Sequence, residues 1–158
     1  MGPSLVIGEA LVDLIPNHAG WYSGMGGGAA NVAVNLARQG VDVALVSHVG
    51  TDAFGSFVVE RLAGEGVQTQ HIVREPAHYT GLVVLHGRDI QGRAFSAYRH
   101  RTADTCFGPQ DLPDGDYPSI HMAMTPMRAG EGRALMERVV SEHAGALYAE
   151  AEQAAARF

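Results

Sequence analysis

The sequence has no lysine and only one cysteine, and each shortage excludes a class of chemistry. All eleven basic residues are arginine, so the chain has neither the phosphate-binding lysine of a Walker A loop nor a Schiff-base amine. Cys106 has no second cysteine with which to form an internal disulfide or a Cys-x-x-Cys motif. The single thiol favours a reducing compartment, and we expect the cytoplasm.

Long apolar runs and excess positive charge are also lacking. No apolar stretch reaches 18 residues, and the first residues do not show the basic start and apolar run of a signal peptide. The net charge of -6 has the wrong sign for nucleic acid or an anionic membrane. We therefore expect neither nucleic acid nor a membrane among the partners of this chain.

Glycine is abundant and clustered. It accounts for 20 of the 158 residues, well above the usual share of about 7%, and seven glycines fall between Gly8 and Gly40. The remaining composition, 46% hydrophobic and 18% charged, is that of an ordinary globular domain. The clustered glycines indicate tight backbone packing in the first quarter of the chain.

Apolar periodicity predicts alternating strands and helices, hence an α/β layered sheet with a small β appendage. The run from Leu5 to Ile15 is predicted as one long strand with a bend at Gly8 and Glu9, followed by a short return strand at Trp21 and Tyr22. Helices are predicted over 29–39 and after an Asp52 N-cap, and a helix weakened at Gly145 over 128–157. Further strands are predicted over 41–49, 70–73, 80–85, 94–98 and 119–123. The strands over 80–85 and 94–98 are predicted to form a hairpin.

The glycine run allows two interpretations. Gly24 to Ala29 formally matches the G-x-G-x-x-A dinucleotide fingerprint, but the first strong strand ends near Ile15, so a nucleotide-binding oxidoreductase is a weak alternative. A run of three glycines, Gly26 to Gly28, also removes side chains beside a helix N-terminus. A ligand can approach the bare backbone there.

A longer pattern is more specific. The segment GGGAANVAVNLARQG (26–40) lies between GEALVDLIP (8–16) and VGTDAFG (49–55). In this order the segments resemble the PfkB family of carbohydrate kinases, especially its fructokinase-like and ketodeoxygluconate-kinase-like members, and the resemblance fades after about Met122. It implies a ribokinase-like three-layer α/β sheet with a small β-sheet lid near residues 10–23 and 79–99.

The same resemblance implies the substrate-binding residues. Asp13 would accept hydrogen bonds from sugar hydroxyls, and Gly27 and Gly28 would let the sugar pack against backbone. Asn31 would bind another hydroxyl, and Arg99 would meet a hydroxyl or a carboxylate. Each side chain also has a structural alternative: Asp13 as an exposed strand-end carboxylate, Asn31 as a helix cap, Arg99 as a solvated lid charge.

The family transfers the γ-phosphoryl group of ATP to a sugar, with Mg²⁺, and its base is the aspartate of a Gly-Ala-Gly-Asp motif. The 158 residues contain no such motif, so no catalytic residue is assigned, no metal site is expected, and neither ATP nor Mg²⁺ is expected to bind this chain strongly. Residues 1–158 are predicted to be the N-terminal portion of the domain, without the nucleotide-binding half. The end, from residue 144, is predicted as helix where the family has a further core strand.

The function predicted on this basis is the sugar-binding half of an ATP-dependent kinase for fructose or an acid sugar, inactive alone. The alternative is a non-catalytic sugar-binding or dimerisation module derived from such a kinase. A half-sheet exposes an unpaired edge, so we also expect a homo-oligomer formed through the lid or that edge.

Overall fold

The computed structural model describes residues 2–89, 92–123, 130–143 and 145–149. The strands are β1 (Ser4–Ile7), β2 (Leu11–Asn17), β3 (Gly20–Gly26), β4 (Val43–Gly50), β5 (Ile72–Glu75), β6 (Leu82–Asp89), β7 (Gly92–Tyr98), β8 (Ile120–Met122) and β9 (Leu147–Ala149). The helices are α1 (Gly28–Arg38), α2 (Ala53–Gly64) and α3 (Gly130–His143), with 3₁₀ turns at Ala103–Thr105 and Pro109–Asp111. Each of these helices is too short to cross a membrane.

Five strands form a parallel sheet in the order β5-β4-β1-β8-β9. The central strand is β1, in which Leu5 lies opposite Ala44 of β4 on one side and Ile120 of β8 on the other. Strands of a parallel sheet are buried on both faces, and β1 is accordingly apolar at both alternating positions. This sheet is the α/β core that the periodicity predicts.

The two faces of the parallel sheet bury separate cores, which makes the fold three-layered. Val6 packs in one cluster with Ala33 of α1 and Leu62 of α2. Its neighbour Leu5 points to the opposite face and packs in a second cluster with Leu135 of α3. Successive strand side chains point to opposite faces, so the alternation along β1 places helices on both sides.

Four strands form a second, smaller sheet in the order β3-β2-β6-β7. The β2–β3 and β6–β7 pairs are antiparallel and the β2–β6 pair is parallel. Four aromatic side chains on its two outer strands are at least half exposed: Trp21, Tyr22, Phe95 and Tyr98. The two regions predicted for the lid therefore pair in one sheet, and their covering role stays a prediction.

The predicted single strand from Leu5 to Ile15 is wrong, because the run divides into β1 and β2 in different sheets. The division occurs at Gly8, whose φ is 152°. A side chain on Gly8 would collide with Ala29 at the start of α1 and with Ala123 after β8. The close approach of these two alanines requires glycine at the point where the chain leaves the first sheet for the second.

The predicted helix over 128–157 is correct for α3 and wrong farther on. Residues Leu147–Ala149 form β9, in which Leu147 pairs in parallel with Ile120 of β8. The open edge of β8 offers backbone hydrogen bonds, which override the helix propensity of an alanine-rich segment. A further strand of the parallel sheet is therefore present in the segment for which a helix was predicted instead. The other parts of this prediction, at residues 128, 129, 144 and 150–157, lie outside the described residues.

Candidate substrate-binding site

A cleft of about 260 Å³ lies where the chain passes from the parallel sheet to the small sheet. Besides Gly27, its polar lining residues are Glu9, Asp13 and Arg99. Its apolar lining residues are Leu11, Val83, Leu85 and Phe95. Pockets for drug-sized ligands measure about 300–1,000 Å³, so this smaller space suits a molecule the size of a monosaccharide, with hydroxyl edges and apolar faces.

Glycines let the start of α1 approach this cleft. Gly27, the N-cap of α1, has a φ of 101°, and a Cβ there would run into the carbonyl of Glu9. That carbonyl also accepts the Ala30 N–H at 3.3 Å. A Cβ on Gly26 would occupy the place of the Asp13 carboxylate. The bare backbone therefore packs directly on the bend after β1 and on Asp13.

Glu9 is a buried carboxylate in the wall of the cleft. Its side chain Oε1 accepts the Gly28 N–H at 3.2 Å, and its Oε2 is buried with no hydrogen-bond partner among the residues that the structure describes. The partial positive charge at the first amides of α1 stabilises a carboxylate at this position. Sequence reasoning missed this residue, although an acidic side chain between the buried strands β1 and β2 was a signal for it.

Arg99 follows β7 and is held by Asp104. Its Nε lies 2.6 Å from Asp104 Oδ2, and its side chain is 20% exposed. Asp104 is fully buried. The alternative of a solvated lid charge therefore does not describe Arg99. Sequence reasoning also missed Asp104, because its burial depends on a 3₁₀ turn that the sequence pattern does not indicate.

The remaining predicted site residues lie nearby but are arranged differently. Asn31, on the first turn of α1, lines a second cleft of about 240 Å³ between α1 and α2. It is not the cap of the helix, because Gly27 occupies the N-cap position. Gly28 is exposed and its N–H is bonded to Glu9. The structure thus brings Asp13, Gly27 and Arg99 to one cleft and puts Asn31 in its neighbour.

Asp52 is the N-cap of α2, as predicted, and it also accepts hydrogen bonds from Thr80, which lies just before β6. Its Oδ1 accepts the Gly55 N–H at 2.8 Å, and its Oδ2 accepts the Thr80 N–H at 2.8 Å. The Thr80 hydroxyl donates to Asp52 Oδ1 and accepts the Gly50 N–H. Burial acts to raise the pKa of Asp52, but the bonds from Thr80 and Gly55 outweigh it and lower the pKa.

His48 on β4 lies between two carboxylates from other elements. Its Nδ1 is 2.8 Å from Glu75 Oε1 on β5, and its Nε2 is 2.9 Å from Asp111 Oδ2 on the second 3₁₀ turn. The His48 side chain is 3% exposed, and its ring packs edge-on against the Phe107 ring. Burial acts to lower the pKa of His48, but the contacts with Asp111 and Glu75 outweigh it and raise the pKa. This His48 cluster joins the parallel sheet to the segment after Asp104.

The cleft beside Gly27, the pairing of a parallel sheet with a small mixed sheet, and the order of the segments agree with one family. Residues 2–113 match the model of the pfkB family carbohydrate kinases, a match that covers more than half of the chain. The chain belongs to this family. Its structure accordingly has the ribokinase-like α/β fold, with the strand preceding α1 antiparallel to β2 rather than part of a dinucleotide-binding β-α-β unit.

Individual relatives are fructokinases. A fructokinase from Klebsiella pneumoniae is 38% identical over 113 residues, which cover 71% of this chain and 37% of that protein. The fructokinase from Xylella fastidiosa with bound ATP superposes with a TM-score of 0.82 at 28% identity, over 92% of this chain and 50% of that one. A double mutant of the fructokinase from Vibrio cholerae O395, bound to fructose, ADP and potassium ion, has a TM-score of 0.82 at 28% identity, over 94% and 49%.

The chain spans about half the length of these relatives, or less. Within the described ranges, no three His, Cys, Asp or Glu side chains come together to hold a metal ion. The sequence has no Gly-Ala-Gly-Asp motif. The described part of the chain therefore contains a cleft of monosaccharide size and no identified set of metal ligands.

Proposed function

We propose that this chain supplies the sugar-binding part of an ATP-dependent sugar kinase acting on fructose or a related sugar. The observation that carries the proposal is the meeting of Asp13, Gly27 and Arg99 in one monosaccharide-sized cleft of a pfkB-family chain. Asp13 is proposed to accept hydrogen bonds from sugar hydroxyls, because a carboxylate offers several lone pairs to neighbouring O–H groups. Gly27 lines the cleft, and its backbone is proposed to lie against the sugar. Gly28 does not line the cleft, and its contact with the sugar stays a prediction.

Asn31 is proposed to reach the same sugar from the neighbouring cleft. It lies on the first turn of α1, one turn beyond the glycines, and its amide can donate and accept a hydrogen bond. Its side chain is exposed, so a ligand that extends beyond the first cleft can contact it. The small sheet is proposed to act as the lid over the sugar.

The chain is proposed to bind sugar without phosphorylating it, because the base motif of the family is missing. The alternative is a non-catalytic sugar-binding or dimerisation module. Adding a separately expressed segment that carries a Gly-Ala-Gly-Asp motif from a related fructokinase distinguishes the two. Turnover restored by that segment supports the kinase part, whereas sugar binding without turnover supports the module.

Calorimetry with fructose tests the binding proposal. Asp13→Asn removes a charged acceptor and should weaken the binding of fructose by about ten- to a hundredfold, the value of a hydrogen bond to a charged group. Asp116→Asn is the matched control, since Asp116 is exposed and lies away from the cleft. Equal fructose affinity in wild type and Asp13→Asn would contradict the role of Asp13, and ATP-dependent turnover by the chain alone would contradict the proposed inactivity.

Self-association is a further proposal. Strands β3 and β7 are the two outer strands of the small sheet, and they carry its exposed aromatic side chains. Exposed apolar patches and sheet edges favour pairing with another chain. A second copy of this chain is the proposed partner. A cytoplasmic location stays a prediction from the single cysteine.

A further inference from the structure

The first turn of α1 is capped by a residue that lies far from it in the sequence. Gly27 occupies the N-cap position and makes no side-chain hydrogen bond to the helix, although the first N–H groups of a helix need acceptors from outside it. Glu9, on the bend between β1 and β2, supplies two such acceptors. Its Oε1 accepts the Gly28 N–H at 3.2 Å, and its carbonyl accepts the Ala30 N–H at 3.3 Å. Glu9 therefore takes the place of an N-cap side chain.

A local cap does not fit at position 27. The usual capping side chains are those of serine, threonine, asparagine and aspartate, and each of them needs a Cβ. A Cβ on Gly27 would run into the Glu9 carbonyl, and the φ of 101° disfavours any L side chain. Because Gly27 lines the cleft, the cap from Glu9 leaves this part of the wall as bare backbone while the start of α1 keeps its acceptors.

The burial of Glu9 makes it a costly cap. The residue is 7% exposed, and its Oε2 is buried with no hydrogen-bond partner in the described part of the chain. Burying a carboxylate with an unpartnered oxygen destabilises a fold, and the favourable interaction with the α1 dipole offsets only part of that cost. Stability alone therefore does not explain a carboxylate at this position. Glu9 lines the same cleft as Gly27, which points to a role in that cleft.

We propose that Glu9 is a positioning residue for the sugar: it fixes the start of α1 before the ligand binds, so that the Gly27 backbone already lies in the wall of the cleft. This inference rests on the proposed sugar-binding function and adds a residue that is not among the proposed sugar contacts. Glu9 acts through its bond to the Gly28 N–H. A site that is ordered in advance binds its ligand more tightly, because binding need not supply the order.

Two variants separate the reach of the Glu9 side chain from its charge. Glu9→Gln keeps an acceptor at the same reach, and its weaker interaction with the helix dipole should lower fructose affinity by no more than about threefold. Glu9→Asp keeps the charge but is one methylene group shorter and loses the bond to Gly28. Its fructose affinity should fall by about tenfold or more, the fold-change that corresponds to one hydrogen bond to a charged group. Calorimetry on the full chain measures both, and a fructose affinity in Glu9→Asp equal to or above that in Glu9→Gln would overturn the inference.

Gly40→Ala is the matched control for a general loss of stability. It strains the other end of α1, where a Cβ has no atom within 4 Å, and its fructose affinity should stay within about twofold of wild type. Circular dichroism establishes that each variant is folded. A loss of affinity in Gly40→Ala as large as that in Glu9→Asp would make the role of Glu9 merely structural, and the inference would be wrong.

Hydrogen exchange in wild type, resolved to single amides by NMR, does not depend on the folding of any variant. Because its bond to Glu9 is already made, the Gly28 N–H should exchange at least about tenfold more slowly than in the unfolded chain before fructose is added. Protection that develops only after fructose is added would mean that the ligand orders α1. That result overturns the role of Glu9 and leaves the sugar-binding proposal standing, whereas failure of wild type to bind fructose overturns both.

Discussion

Gly27→Ala should be among the most damaging single-atom additions in this chain. The residue has a φ of 101°, and forcing an L-residue into left-handed backbone costs roughly 1–2 kcal/mol. The new methyl group would also meet the carbonyl of Glu9 and the Cα of Ala10, which are backbone atoms and cannot rotate away. Overpacking of this kind adds about 1–3 kcal/mol, so the free energy of unfolding should fall by about 2–5 kcal/mol in total.

Gly40→Ala provides the matched control. Gly40 ends α1 with a φ of 81°, and a Cβ there would have no atom within 4 Å. It therefore carries the backbone penalty without the collision, about 1–2 kcal/mol. The difference between the two variants isolates the close approach of the α1 start to the bend after β1.

Urea unfolding followed by circular dichroism measures the free energy of unfolding of both variants, and heating followed by the same signal measures their thermal midpoints. At about 2–4 °C per kcal/mol for a chain of this size, the thermal midpoint should fall by roughly 4–20 °C in Gly27→Ala and by roughly 2–8 °C in Gly40→Ala. Equal destabilisation of the two proteins would refute the reasoning, since it would mean that the bend yields to the methyl group without loss.

Two other predictions concern the His48 cluster and the small sheet. Because Asp111 and Glu75 raise the pKa of His48 above its ordinary 6.5, the stabilisation from its charge is complete below pH 6.5 and is lost as pH rises through the folded-state pKa. Urea unfolding from pH 6 to 9 should show this decline in the free energy of unfolding. His48→Gln should flatten the decline and lower the free energy of unfolding by about 2 kcal/mol at pH 6. An unchanged dependence on pH in this variant contradicts His48 as the titrating group. Trp21→Ser should reduce self-association in sedimentation velocity, and an unchanged distribution of species contradicts an interface on the small sheet.

The helices could be predicted because their ends depend on neighbouring residues. The division of the strands between the two sheets could not, because it depends on tertiary contacts. Asp52 and Gly40 mark helix ends through cap chemistry that depends only on neighbouring residues, so α1 and α2 were predicted nearly to the residue. The apolar run around Gly8 fits one strand or two equally well, because β1 and β2 are buried in different sheets but have the same residue types. The turn at Gly8 is decided by Ala29 and Ala123, which are distant in sequence.

The site was predicted in part for the same reason. Asp13 and Gly27 were predicted as substrate-binding residues because they lie in motifs of contiguous residues; both line the cleft, and their role stays a prediction. The separation of Asn31 into a second cleft depends on the direction in which α1 presents its first turn, which spacing alone does not settle. Asp104 was missed because a buried carboxylate is recognisable only once its arginine partner is known.

The central place of β1 has a consequence for synthesis. Its first neighbour, β4, ends at Gly50, whereas its second, β8, begins at Ile120. At ribosomal rates of about 5–20 residues per second, the 69 residues between them take roughly 3–14 s to emerge. Throughout that interval one side of the innermost strand has no native neighbour, so the nascent chain is most exposed to chaperones and to wrong pairing before its β8 segment leaves the ribosome.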